Sequence, residues 1–181
     1  MGPFDYLFSF YGLLLGIAIA NVAIGFADMW RDCGKIEVGT CPPLLASLVL
    51  LGGMNAWLQI WHAHDYVTVN AWQMIAAAAI ALPYVFISRA MFPGAGQETE
   101  RSLEEHYLKH RALLLVLLAI PVVIQTVSKL VLDGISDQGW EEAWMVVRIA
   151  APLALIPFAS RTVQRAGLAA MNVLLLVGLF R

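Results

Sequence analysis

Charge is what this chain lacks most. Only 13% of its 181 residues are Asp, Glu, Lys or Arg, and the formal net charge is −2. A soluble domain carries about 25% charged residues to coat its surface, so a water-facing globule is excluded. No basic patch exists to follow a nucleic-acid backbone, and no nucleic-acid partner is expected. Two cysteines, Cys33 and Cys41, are too few for a structural zinc site. Nucleophile-elbow motifs are missing. No histidine falls in the middle of an apolar run, which removes the facing axial ligands that a haem needs. The expectation is no cofactor, no metal and little support for catalysis.

What is there is apolar. Hydrophobic residues make up 60% of the chain, and the mean hydropathy is +0.74. One spanning helix needs roughly 20 apolar residues. Six stretches qualify, at approximately 4–30, 43–64, 69–92, 110–132, 140–159 and 162–180. Runs such as Ala76 to Phe86 and Ala112 to Ile124 carry no charged stripe of the kind a soluble helix shows. The first stretch lacks the basic start of a cleaved signal peptide and is too long for one. The expected fold is therefore all-α: a polytopic integral membrane protein, a bundle of six transmembrane helices in one domain over residues 1–181. A repeated three-plus-three motif, common in transporters, is not found.

Two residue classes bear on orientation. With the N-terminus outside, the inner connections hold Arg31, Lys35, Arg89, Arg101, Lys109, Arg111, Arg161 and Arg165, eight of the eleven basic residues. Positive charge stays on the cytoplasmic side, so both termini are expected outside. Trp57, Trp61, Trp72, Trp140 and Trp144 fall near the outer ends and Trp30 near the inner, in keeping with interfacial aromatic belts. Cys33 and Cys41 then share a reducing inner loop, where a disulfide is disfavoured. His62 and His64 sit outside while His106 and His110 sit inside, too far apart to share a metal across a core about 30 Å thick.

Along the chain, FPGAGQETERSL (92–103) is the clearest loop, and Pro93 and Gly94 should end the third helix. The EEHYLKHR segment after it is expected as a helical extension at the inner surface. Pro42 and Pro43 suit the start of the second helix. A tight turn near Ser160 should make the fifth and sixth helices adjacent and antiparallel.

Polar side chains concentrate in NAWLQIWHAHDYVTVNAWQM (55–74). Asn55, Gln59 and His62 share one helical face by their spacing. Asn70, Gln73, Ala77, Tyr84 and Ser88 form a stripe on the third helix, Gln125 and Ser128 lie on the fourth, Arg148 on the fifth and Asn172 on the sixth. Amides facing hydrocarbon are costly, so such groups turn toward the bundle interior or water. Asn55, Gln59, His62, Gln73, Gln125 and Arg148 are the candidate lining of an outward-facing polar vestibule. The alternative is that they bond pairwise across helices as structural glue. Arg148 either snorkels to the headgroups or needs an acceptor, with Asp65, Asp133, Glu141, Gln59 and Asn55 as candidates.

A stripe of small residues, Ser9, Gly12, Gly16, Ala20, Ala23 and Ala27, marks one face of the first helix. Gly12, Gly16, Ala20 and Ala23 are the candidate helix-packing face, used within the chain or for a homo-oligomer.

Glu104 and Glu105 begin as the Glu-Glu-x-x-x-Arg motif of intramembrane CAAX-type proteases does, but Lys109 stands where the Arg should be and no second His motif follows. EEHYLKHRALLLVLLA and FDYLFSFYGLLLGIAIA resemble stretches of uncharacterised bacterial multi-spanning proteins, which implies a bacterial inner membrane and no particular activity. The expected function is binding or conduction of a small polar or ionic solute. The alternatives are an accessory or scaffolding subunit of a larger membrane complex, and an enzyme using EEHYLKHR on a lipid-linked substrate.

Overall fold

The computed structural model describes residues 2–31, 37–62, 64, 70–93, 102–133 and 139–179, without the side chains of Pro3, 129–133 and 139–143. Six helices follow in order: α1 (Pro3–Arg31), α2 (Cys41–His62), α3 (Ala71–Ala90), α4 (Leu103–Asp133), α5 (Gly139–Leu155) and α6 (Arg161–Leu179). Five of them, all but α5, contain segments long and apolar enough to cross a membrane. With 17 residues, α5 rises only about 25 Å at 1.5 Å per residue, short of the hydrocarbon thickness. In contrast α4, with 31 residues, rises about 46 Å and must project beyond the core.

Neighbouring helices close a ring in the order α1–α3–α4–α5–α6–α2, and α2 also touches α3 and α4 across it. Thus α2 is the helix pressed inward, which fits its fully buried Leu45 and Leu48 and its buried Gly52 and Gly53. The core runs through Tyr11, Val49, Ala81, Ile87, Leu114, Leu115 and Leu168. Outside the ring stand Leu13, Ile24, Met54, Phe86, Leu113, Val146, Val173 and Val177, all exposed. Apolar surface this continuous is an aggregation hazard in water and a suitable face toward lipid.

Local chemistry explains most boundaries. Asn70 caps α3, its side chain accepting from Gln73 N at 2.9 Å. As expected, Pro42 and Pro43 lie in the first turn of α2, removing two of the N–H groups that a helix start leaves unpaired. Pro93 lies just past the end of α3; Gly94 is outside the described residues. Two boundaries differ from expectation. The EEHYLKHR segment is the first two turns of α4 itself, and α5 stops at Leu155 instead of 159, because Pro157 offers no N–H to continue it.

Candidate functional site

The expectation of a helical EEHYLKHR segment holds, with Glu105 and Lys109 exposed, but three of its side chains do not lie on a surface. Glu104, His106 and Tyr107 are buried, and each reaches a different helix end. Glu104 accepts from Thr40 N at 3.0 Å and from the Cys41 thiol at 3.8 Å, at the start of α2. A carboxylate there meets the positive end of the helix dipole. Arg165 of α6 grips the same carboxylate through Nε at 3.2 Å and Nη2 at 2.8 Å, a charge-assisted pair. The His106 ring bonds the carbonyl of Ala90, at the end of α3, at 3.1 Å.

Tyr107 donates to Gln164 Oε1 at 2.6 Å, and the Gln164 amide donates to the carbonyls of Leu155 and Phe158 at 2.7 and 2.6 Å. Arg111 Nε adds a bond to the carbonyl of Ile156 at 3.2 Å. Gln164 and Arg111 thus satisfy three carbonyls where α5 ends, as buried helix termini require, and Tyr107 holds Gln164 in place. The start of α4 is therefore a hub that ties together the ends of α2, α3, α5 and α6. Cys41 opens α2 and is buried, not part of a loop; Cys33 lies outside the described residues. Gly39 makes room for the hub: its φ is +69°, and a Cβ there would collide with the Glu104 side chain.

Two turns along the helices from this hub, about 10 Å at 1.5 Å per residue, lies a small cavity of about 50 Å³ lined by α2, α3, α4, α5 and α6. Leu48, Gly52, Leu118, Val122, Pro152 and Met171 form much of its apolar wall, and Tyr84 and Arg148 bring polar groups into it. Three helices carry a buried proline near this level: Pro83 beside Tyr84, Pro121 between Leu118 and Val122, and Pro152 itself. Each removes a backbone N–H and leaves the carbonyl four residues earlier without its helical partner. For Pro152 that carbonyl belongs to Arg148.

Arg148 and Gln125 both neighbour Tyr84, so the structure brings these two expected residues together. Among the described residues, Arg148 makes no ion pair or hydrogen bond; the side chains of Asp65, Asp133 and Glu141 lie outside the described residues. Gln125 and Gln73 each hold a buried side-chain oxygen without a partner. The remaining expected residues spread toward the opposite pole. Asn55 is half-buried, whereas Gln59 and His62 are exposed. From Gly52 to Gln59 is seven residues, about 10 Å of rise, so Gln59 does not share the depth of Arg148. Neither this cavity nor a larger one of about 240 Å³ between α1 and α2 is lined by Asn55, Gln59, His62 or Gln73.

Tyr84 belongs to the site although only its place in the α3 stripe pointed to it. Its ring lies on Gly52, where an added Cβ would approach the ring at 3.0 Å and the hydroxyl at 3.1 Å. The glycine pair in α2 was the available signal.

On α1, packing falls on Leu7, Tyr11, Leu15, Ala18 and Val22, all buried. Gly12 meets Trp57, but Gly16, Ala20 and Ala23 are exposed, and a Cβ on Gly16 would touch nothing within 4 Å. Bulkier side chains one position round the helix bury more surface against α3 than glycine and alanine could. At the pole opposite the hub, Phe8 packs on Trp57 and Trp61 at centroid distances of 4.8 and 5.5 Å, a cluster of aromatic rings.

The His106 and His110 rings lie 4.4 Å apart, tilted by 40°, and among the described residues no group of three or more His, Cys, Asp or Glu could hold a metal ion. No protein family, curated protein or solved structure matches this chain.

Proposed function

We propose that this protein is a six-span bundle with both termini outside the bacterial inner membrane, and that it binds or passes a small polar or ionic solute. Six described basic residues at the hub pole, Arg31, Arg89, Lys109, Arg111, Arg161 and Arg165, support that orientation. One observation carries the solute reading. Arg148 is turned into a cavity within the bundle, beside Tyr84, with no carboxylate partner among the described residues. An intramembrane guanidinium costs several kcal/mol unless paired or wetted, and broken helices near the membrane midplane are where transporters place their solutes. In this reading Asn55, Gln59, His62 and Gln73 line the approach from outside.

The test is flux from vesicles reconstituted with the purified protein, using potassium, sodium, chloride and a neutral polyol. Arg148→Leu and Gln125→Leu are expected to lower the transported solute's flux by about tenfold or more, the loss of one charged hydrogen bond of roughly 1.5 kcal/mol. Gln59→Leu should cost less, since that side chain is far from Arg148. Equal flux from wild type and Arg148→Leu would end the proposal.

A second reading is favoured by a separate observation, the exposed Gly16–Ala20–Ala23 face of α1. Small residues at a lipid-facing surface allow close approach of another helix, as an accessory subunit or homo-oligomer requires. No flux of any solute, with stoichiometric copurification of other chains, would select it.

A further inference from the structure

The sign of the solute follows from the donors around the small cavity. We infer that the cavity between Tyr84 and Arg148 is a binding site for a small monovalent anion; this rests on the solute reading above and narrows it. Arg148 brings a permanent positive charge and up to five N–H donors. Tyr84 brings a hydroxyl and is itself buried, at 3% exposure. Gln125 bonds that hydroxyl from behind and does not itself line the cavity. No described Asp or Glu lines the cavity, so its described lining carries a net positive charge.

The backbone carbonyls released by Pro121 and Pro152 are dipoles only. They can accept hydrogen bonds from the guanidinium or from water, but they cannot cancel its charge. A cation is opposed by Arg148 at close range, and a neutral solute leaves the charge uncompensated. An anion accepts from guanidinium and hydroxyl at once, and charge-assisted bonds of this kind are the strong ones.

Size narrows the class further. A cavity of about 50 Å³ has room for a few waters, each needing roughly 10–15 Å³ on the same measure. Halide, nitrate or formate fits such a space. The apolar remainder of the wall, Leu48, Leu118, Val122 and Met171, favours weakly hydrated anions that shed water readily.

The experiment is equilibrium binding by the purified full chain in detergent micelles, read as anion-dependent melting at constant sodium and ionic strength. Sodium chloride, bromide and nitrate are compared with gluconate, a bulky and strongly hydrated anion. Wild type is expected to melt higher in the three small anions than in gluconate, with a saturable dependence on their concentration. Arg148→Lys keeps a charge but loses the fork of donors, and should weaken apparent affinity about tenfold. Tyr84→Phe should weaken it less, and Arg148→Leu should abolish the difference between salts. Should Arg148→Leu not fold, the lysine and phenylalanine variants still decide the question by their affinities.

Equal melting of wild type in all four salts overturns the assignment, as does an anion response unchanged in Arg148→Lys and Tyr84→Phe. Cation or polyol flux in the vesicle assay without any anion response also overturns it, while leaving the broader solute reading in place. Anion binding without flux supports the assignment and makes this a binding site, not a pore.

Discussion

Tyr84 sits where the most physics meets. Its ring rests on the bare backbone of Gly52, and its hydroxyl stands between Gln125 and Arg148. The closeness of the ring to α2 depends on the missing Cβ. Gly52→Ala should therefore overpack the bundle centre and destabilise it by about 1–3 kcal/mol, visible as a lower melting temperature in detergent. Gly16→Ala is the contrasting case. Its added methyl meets nothing within 4 Å, and a glycine inside a helix costs roughly 0.5–1 kcal/mol relative to alanine. That variant should melt at or above the wild-type temperature. A marked loss in Gly16→Ala would show that a second helix covers this face.

At the scale of elements, the first turns of α4 organise one pole of the bundle. Glu104 is the member with most to lose, being 3% exposed and shared by α2 and α6. Glu104→Ala strands the Thr40 N–H and the Arg165 guanidinium. Arg165 is 45% exposed, so water compensates it in part, and the expected cost is about 1–3 kcal/mol. A double-mutant cycle with Arg165→Ala should return a coupling of about 0.5–3 kcal/mol; a coupling near zero would make the contact incidental.

Gln164 offers a different readout because its three bonds join α4, the end of α5 and α6. Gln164→Leu should loosen the α5–α6 turn before the bundle melts, raising hydrogen exchange around Ile156 to Ser160 with little change at the aromatic pole. The opposite pattern, or none, would contradict the role given to Gln164. EEHYLKHR was legible as helical and polar. That Glu104, His106 and Tyr107 point into the protein was not, because the segment's partners come from residues 40, 90, 156, 164 and 165.

For the whole molecule, the two poles differ in kind. One is polar and knitted by hydrogen bonds; the other is held by Phe4, Phe8, Trp57 and Trp61. If the knitted pole faces the cytoplasm, a cysteine placed at Ser160 stays hidden from an impermeant thiol reagent in intact cells, while one at His64 is labelled. The background would carry Cys33→Ser and Cys41→Ser. Labelling of the Ser160 variant alone would invert the orientation.

The helices were readable in advance because hydrocarbon imposes a length and an apolarity that few other roles require. Every helix was anticipated within about two residues at each end, except where polar EEHYLKHR opens α4 and where Pro157 cuts α5 short; ends of this kind depend on local hydrogen-bonding partners. Arg148 was likewise legible, since charge stands out among valines and alanines. Its company was not. Which helices adjoin, which face of α1 turns outward, and that Arg148, Gln125 and Tyr84 meet while Gln59 stands apart all depend on how side chains of similar apolarity interlock. Composition along one helix records the solvent around it; the fit between helices is set by shape, and shape is a property of the assembled bundle.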